Sequence, residues 1–245
     1  MTRIHLFLLL IVIALLTGCA QAVPAQRAKY AITDFEKPGM EHPLEVYDPV
    51  SSVNKGLYRF NYNFDRFLFL PVVNTYEFIM PDYVEQRVSN FFDNIGEFGN
   101  FTNGVLQLKP KSAGITLSRF LINSTVGIAG LWDPATHWNL KRQDEDFGQT
   151  LGRYGVGNGP YIVLPVFGPS NLRDTGGLVA DTAAFSAVDP LNFDHNESWE
   201  LPYQGLKAVD TRHRQPFRYY KSGSPFEYEF VRLLYTEKRK LQISK

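Results

Sequence analysis

Leu16-Thr17-Gly18-Cys19 is the place in this chain where residue types and order specify a covalent chemistry. Arg3 precedes an almost unbroken apolar run from Leu6 to Leu16, the layout of a secretory signal. The run ends on Leu-x-Gly-Cys, a lipobox, rather than on a small-x-small cleavage site. Cleavage before Cys19 would make it residue one of the mature chain, with a diacylglycerol on its sulfur and an acyl chain on its new amino group. An ordinary signal peptide or an N-terminal membrane helix is the alternative. The apolar run is shorter than the ~20 residues that span a bilayer, and Cys19 is the only cysteine. Both observations favour the lipobox and place the protein outside the cytoplasm, tethered to a bacterial membrane. Ala20 follows where an Asp would hold such a protein at the inner membrane, so the outer membrane, facing the periplasm, is expected.

Other chemistries are poorly supported. Gly155-Val156-Gly157-Asn158-Gly159-Pro160 is glycine-rich, but Pro160 and an extended run follow where a phosphate loop needs a helix. A structural turn is the better reading. Ser170 sits in Gly168-Pro169-Ser170-Asn171-Leu172, which lacks the second glycine of a hydrolase elbow; it reads instead as a helix N-cap. His42, His137, His195 and His213 have no zinc spacing. Asp133 and His137 are i, i+4 neighbours suited to a helix-start contact, and Asp144 with Asp146 reads as a solvated acidic loop rather than a cation site. No catalytic constellation and no metal site are expected, and the only cofactor-like group is the lipid on Cys19.

Composition agrees with a surface or interface protein. The chain carries 25 basic and 25 acidic residues, a balance that does not ask for nucleic acid. The distribution is uneven: Lys207 to Lys245 holds ten Lys/Arg against four Asp/Glu. That segment is either a solvated helix surface or a face for phosphate headgroups or an acidic protein. One cysteine excludes internal disulfides. Aromatic residues make up 14% of the chain, and their apolar bodies with polar tips suit cores and the membrane–water boundary.

The elements that must position any site read as helices with one irregular section. Residues 1–18 are the signal, 19–45 a lipidated tether and 46–245 the folded domain. Asp48-Pro49 is expected to cap a first helix, with Leu57, Phe60, Phe64 and Phe67/Leu68 as its apolar stripe. Pro71 is expected to bend or end it. Met80-Pro81-Asp82 opens a second helix, which Gly96, Gly99 and Gly104 should break. Pro110 opens a third, with Ala113, Leu117, Phe120/Leu121 and Ser124 on one side. It runs into Gly127-Ile128-Ala129-Gly130, where backbones can approach closely. Asp133-Pro134 repeats the cap. Lys141 to Asp146 is a charged loop, followed by a Gly/Pro-rich section over 148–169 with an extended run at Tyr161–Leu164. Helices are expected from Ser170 and over Pro225–Lys240. No second hydrophobic span and no alternating barrel strands follow the signal.

Three stretches together resemble the VacJ/MlaA family of outer-membrane phospholipid-transport lipoproteins. They are Asp48-Pro49 with Asn54-Lys55-Gly56-Leu57-Tyr58-Arg59-Phe60-Asn61, then Arg119 to Ala135, then Glu145 to Gly152 continuing through Tyr161–Pro165 to Gly168–Asp174. Ser224-Pro225-Phe226, Arg232 and Tyr235 are similar to the family's closing helix more loosely. The resemblance implies a mainly α fold, a ring-like arrangement of amphipathic helices embedded in one membrane leaflet. It implies a non-enzymatic protein that removes mislocalised phospholipids from the outer leaflet through a polar channel. A soluble periplasmic carrier linked to an inner-membrane ABC transporter would receive them, with a trimeric porin beside the protein. It implies that Asn61 and Tyr62 lie near the channel, and with them Arg59 and Asn63 become channel or gating candidates. The alternative is a non-catalytic envelope scaffold or virulence-associated lipoprotein.

Overall fold

The computed structural model describes residues 46–191 and 197–245. The signal, Cys19 and the tether lie outside the described residues. Helix α1 covers Ser51–Phe64, a π-helical turn Asp65–Phe69 follows, and α2 covers Leu70–Ile79. Then come α3 (Asp82–Leu106), α4 (Pro110–Thr125), α5 (Pro134–His137) and α6 (Phe147–Arg153). Strands β1 (Tyr161–Leu164) and β2 (Gly168–Asn171) form an antiparallel hairpin, with Tyr161 opposite Asn171 and Leu164 opposite Gly168. Helices α7 (Leu172–Val188), α8 (Glu197–His213) and α9 (Glu227–Ser244) complete the chain. The fold is mainly α.

The elements close on themselves. Helix α3 packs on α8, α8 on α2, α2 on the π-helical turn, and that turn on α1. Helix α1 then packs on β1, β2 on α9, α9 on α6, and α6 back on α3. This circuit is a ring, with α4 laid along α3, α5 beside α4, and α7 against α6 and β2.

What the ring encloses is unusual. Among the described residues, 22 polar or charged side chains are buried against nine apolar ones, and four of those nine are Tyr. Conversely, Phe67, Phe78, Ile79, Leu121, Ile128 and Leu201 stand more than half exposed. Helix α4 shows the inversion most clearly. Ser112, Ala113, Thr116, Arg119 and Asn123 recur at three to four residues and are buried, while Leu117, Phe120 and Leu121 face out. The expected stripe of Ala113 with Leu117 and Phe120/Leu121 is therefore split: Ala113 packs inward and the large residues point away. A surface of this kind suits an apolar surrounding. No helix among the described residues is long and apolar enough to cross a membrane.

Several local expectations are corrected. Asp48 does not cap α1; Val50 occupies that position without a side-chain bond. Asp48 instead accepts from Asn54, Tyr228 and Arg232. Pro71 does not end the helix. It falls in the first turn of α2, directly after the wider π-helical turn, where its missing N–H and its ring are accommodated. Helix α3 runs through Gly96, Gly99 and Gly104 unbroken; at Gly104 a Cβ would come within 3.3 Å of the Ala113 amide, so this glycine lets α4 lie close. Ser170 belongs to β2, and Asn171 is the N-cap of α7, accepting from the Asp174 amide. Helix α6 forms where only glycine-rich chain was expected. Its Gly148 meets Gly177 of α7 so closely that a Cβ on Gly177 would lie 2.3 Å from the Gly148 nitrogen. The Asp133 cap is as expected, accepting from the Thr136 amide.

Candidate functional site

Helix α1 and the π-helical turn that continues it carry three faces. Asn54, Tyr58, Asn61 and Asp65 are buried at spacings of three and four. Leu57, Phe60, Phe64 and Phe67 form the apolar side. Arg59, Tyr62, Asn63 and Arg66 fall on the remaining strip, at i, i+3, i+4 and i+7. The structure thus gathers three of the four expected gating residues and sets Asn61 apart, against the hairpin.

Asn61 donates to the Leu164 carbonyl and accepts from the Val166 amide. One turn pair earlier, Asn54 donates to the Tyr161 carbonyl and accepts from the Val163 amide. A two-stranded hairpin leaves one edge of β1 without a strand partner, and unpaired backbone groups are costly when buried. Two asparagines seven residues apart supply the missing donors and acceptors. Asn61→Leu would leave the Leu164 carbonyl and Val166 amide unsatisfied and should cost about 1–3 kcal/mol. Thermal melts of the detergent-solubilised protein check this, and a melt unchanged from wild type would remove Asn61 as the hairpin clamp.

The exposed strip is held from the side. The Tyr62 ring meets Tyr220 edge-on at 4.9 Å, and its hydroxyl accepts from Arg66 at 2.6 Å. Arg59 hydrogen-bonds the Tyr220 hydroxyl. Arg59 and Asn63 are themselves exposed. Beneath the strip, Asp65 opens the π-helical turn and accepts two bonds from Arg212, at 2.6 and 2.9 Å.

The rest of the interior is a set of ion-paired clusters. Arg119, 2% exposed, donates to Glu97 at 2.6 Å, to Asp133 at 3.0 Å, to the Thr136 hydroxyl and to the Leu140 carbonyl. Burial pushes the Glu97 carboxyl up, against the pull of Arg119 and Asn100. Burial works to lower the Arg119 guanidinium, but the bonds to Glu97 and Asp133 outweigh it and hold it raised. A second cluster joins α9 to α6 and α7: Arg239 donates to both Asp146 and Asp174, and Arg173, Tyr235 and Asn171 also reach Asp174. A third links α3 and α8, where Arg142 and Arg214 share Asp93 and Arg214 also meets Asp210. Asn103 links Asp181 to Thr150, and Gln107 donates to Thr150.

These clusters answer the basic C-terminal segment. Arg212, Arg232 and Arg239 are turned inward onto Asp65, Asp48 and Asp146/Asp174, while Arg214 pairs with Asp93 at the surface. Arg239, expected in the last turn of a helix, sits inside α9 and is buried. The expected solvated loop is likewise engaged: Asp146 caps α6 and pairs with Arg239. None of Arg119, Glu97, Arg212 or Arg239 was expected as an interior residue. Their signal was present as polar residues at helical spacing.

Burial works to raise Asp146 and Asp174, yet hydrogen bonds from Arg239 outweigh it and hold both below the ordinary carboxylate value. Such groups stabilise the fold above the unfolded value of about 3.9 and lose that contribution as pH falls through the folded values. Glu97 and Asp181, pushed up by burial, act in the opposite sense, stabilising below the unfolded value and losing this as pH rises. Stability should therefore fall on acidification below about pH 4, and Arg239→Met should flatten that fall. Melting temperatures between pH 3 and 6 test it; an identical acid slope in the variant would show that the cluster does not govern it.

The described residues hold no group of three or more His, Cys, Asp or Glu able to bind a metal. Ser170 bonds Thr175 and the Asn171 carbonyl, with no histidine among its partners. His137 contacts the Asp133 carbonyl at the start of α5, as the i, i+4 spacing suggested.

Comparison with known proteins agrees with this architecture. The family described as MlaA lipoprotein matches residues 46–242. An uncharacterised protein of Rickettsia prowazekii is 38% identical over 170 residues, covering 69% of this chain and 66% of that one. The match thus spans just under two thirds of that relative's length. The intermembrane phospholipid transport system lipoprotein MlaA of Haemophilus influenzae is 32% identical over 171 residues, 69% of this chain and 67% of that one. Its Escherichia coli namesake is 38% identical over 138 residues, 55% of each chain. A solved structure reported under "Structural basis for maintenance of bacterial outer membrane lipid asymmetry" superposes with a TM-score of 0.66 at 30% identity. It covers 80% of this chain and 98% of that one. With the family match running almost the full length of the helical ring, the chain belongs to the MlaA lipoprotein family.

Proposed function

We propose that this protein is an outer-membrane lipoprotein that removes mislocalised phospholipids from the outer leaflet and passes them to a soluble periplasmic carrier. The carrier would deliver them to an inner-membrane ABC transporter, and a trimeric porin would flank the ring. The acyl chains on Cys19 tether the protein, and its apolar outer surface sits in the periplasm-facing leaflet. The inverted distribution of side chains carries this reading. A phospholipid crossing a bilayer must take its charged headgroup through hydrocarbon, at a cost of many kcal/mol without polar partners. A ring with a polar interior and an apolar exterior offers the headgroup a polar route while the tails stay in lipid.

Arg59, Tyr62 and Asn63 form the wall that the headgroup meets, with Arg66 beside them. Asn61 acts by fixing α1 on the hairpin. The π-helical turn directly below, locked by Asp65 and Arg212, supports a gating role, since such turns recur at functional sites. Nothing in this scheme forms or breaks a covalent bond, and the protein acts as a conduit rather than an enzyme. The direction of flow is set by the carrier and transporter, because a passive route biases neither direction.

The test is outer-leaflet phospholipid in cells lacking this protein, read by labelling exposed amine headgroups with a membrane-impermeant reagent. Phospholipid should accumulate there, wild type should restore the leaflet, and Cys19→Ala should not. A normal outer leaflet in the deletion strain, with redundant routes removed, would favour an envelope scaffold instead.

A further inference from the structure

Arg87 of α3 faces the turn that follows α4 and has no counter-ion among the described residues. The Arg87 guanidinium lies 4.3 Å from the centre of the Tyr83 ring and 5.0 Å from that of Trp132. Its one hydrogen bond among the described residues runs from Nη1 to the Leu131 carbonyl at 3.2 Å, and Asn90 donates to the same oxygen. Among the described residues its Nε is buried with no partner, and no carboxylate pairs with it. A guanidinium carries five N–H donors. The Leu131 carbonyl takes one hydrogen and the two rings flank the guanidinium, which leaves the other donors of the fork without a partner among the described residues.

The surroundings indicate what the fork meets. Trp132 closes a turn in which Ile128, Ala129 and Gly130 all hold positive φ, at 51°, 54° and 87°. A β-branched residue in that region is strained. The strained turn holds Val126 and Ile128 out, each about 60% exposed. An apolar tip beside a Trp, a Tyr and an arginine is the layout of a membrane–water boundary. Arginine stacked on aromatic faces binds phosphate with its free edge.

We infer that Arg87, held between Tyr83 and Trp132, binds the phosphodiester of a glycerophospholipid in the surrounding leaflet. This site fixes the depth and tilt of the ring and is separate from the transport route. The inference rests on the leaflet placement proposed above.

The experiment uses the full chain with Trp132 as its only tryptophan (Trp138→Phe, Trp199→Phe), purified in a detergent that is not a phospholipid. Trp132 emission is followed on adding dihexanoylphosphatidylethanolamine, dihexanoylglycerol or inorganic phosphate. The phospholipid should give a saturable change whose affinity falls at least about tenfold in Arg87→Gln, with Arg87→Lys between. The glycerol lipid and free phosphate should each bind far more weakly. Equal binding by Arg87→Gln, or no saturable change in wild type, would overturn the proposal. So would dihexanoylglycerol matching the phospholipid, which means apolar contact only, or inorganic phosphate matching it, which means a free-anion site. In vesicles with brominated acyl chains, unquenched Trp132 would overturn the leaflet placement itself. Quenching together with Arg87-independent binding would overturn the headgroup site alone.

Discussion

Arg119→Met should lower the unfolding free energy by about 3–5 kcal/mol, because it leaves a buried carboxylate without its counter-ion. Glu97 is 0% exposed and would keep the Asn100 hydrogen bond and the longer-range field of Arg142. Asp133 would lose one of its donors, and the Leu140 carbonyl would lose the guanidinium that ties the loop to α4. The whole stability of a domain is about 5–15 kcal/mol, so this single change approaches the limit of folding. Glu97→Leu combined with Arg119→Met should recover part of the loss, since an apolar pair does not carry the unpaired charge. Denaturant melts of the single and double variants measure the difference. If the double variant is as unstable as the single one, the cost lies in the Thr136 and Leu140 contacts rather than in Glu97.

Leu121→Glu should leave the fold standing and weaken membrane association by about 2.5–3.5 kcal/mol. Leu121 is 54% exposed on the outer face of α4, with Leu117 and Phe120 on the same side. In a protein surrounded by water, a glutamate there would be neutral or would aid solubility. In a protein whose outer surface faces hydrocarbon, the same carboxylate must enter lipid or lift the helix out of it. Flotation of the chain with vesicles, comparing wild type and variant, separates the two. The proposed lipid on Cys19 would add its own membrane affinity, so the comparison is clearest in a Cys19→Ala background.

Much of this was legible in the sequence. Asp133-Pro134 caps α5 through local chemistry that any context would preserve, and Tyr161–Leu164 is extended because it is a short apolar run between turn residues. Asp48-Pro49 carries the same signature and yet does not cap, because Tyr228 and Arg232, 180 and more residues away, take its carboxylate. The glycines of α3 looked like helix breakers. They are tolerated because Gly104 is needed where Ala113 packs and Gly96 lies beside the Arg142 side chain. The polar spacing 54, 58, 61, 65 on α1 and 112, 116, 119, 123 on α4 was as regular as any apolar stripe. Periodicity predicts an inward face only when apolar residues point inward, so a regular polar stripe carries no such signal by itself. Tyr62 came from the family resemblance, and Arg59 and Asn63 from their place off the apolar stripe of the first helix. Asn61 came with Tyr62, but its hydrogen bonds to the hairpin give it a positioning role that no local signal indicates.

Spin labels on single introduced cysteines in a Cys19→Ala background read the inversion residue by residue, since Cys19 is the only native thiol in the chain. Labels at Leu121 and at Phe78, which is 90% exposed on α2, should relax with oxygen, which concentrates in hydrocarbon, when the protein is in vesicles. A label at Asn63, on the polar strip of α1, should relax with a water-soluble nickel chelate in the same vesicles. Nickel-accessible labels at Leu121 and Phe78, or an oxygen-dominated label at Asn63, would contradict a ring that is apolar outside and wet within.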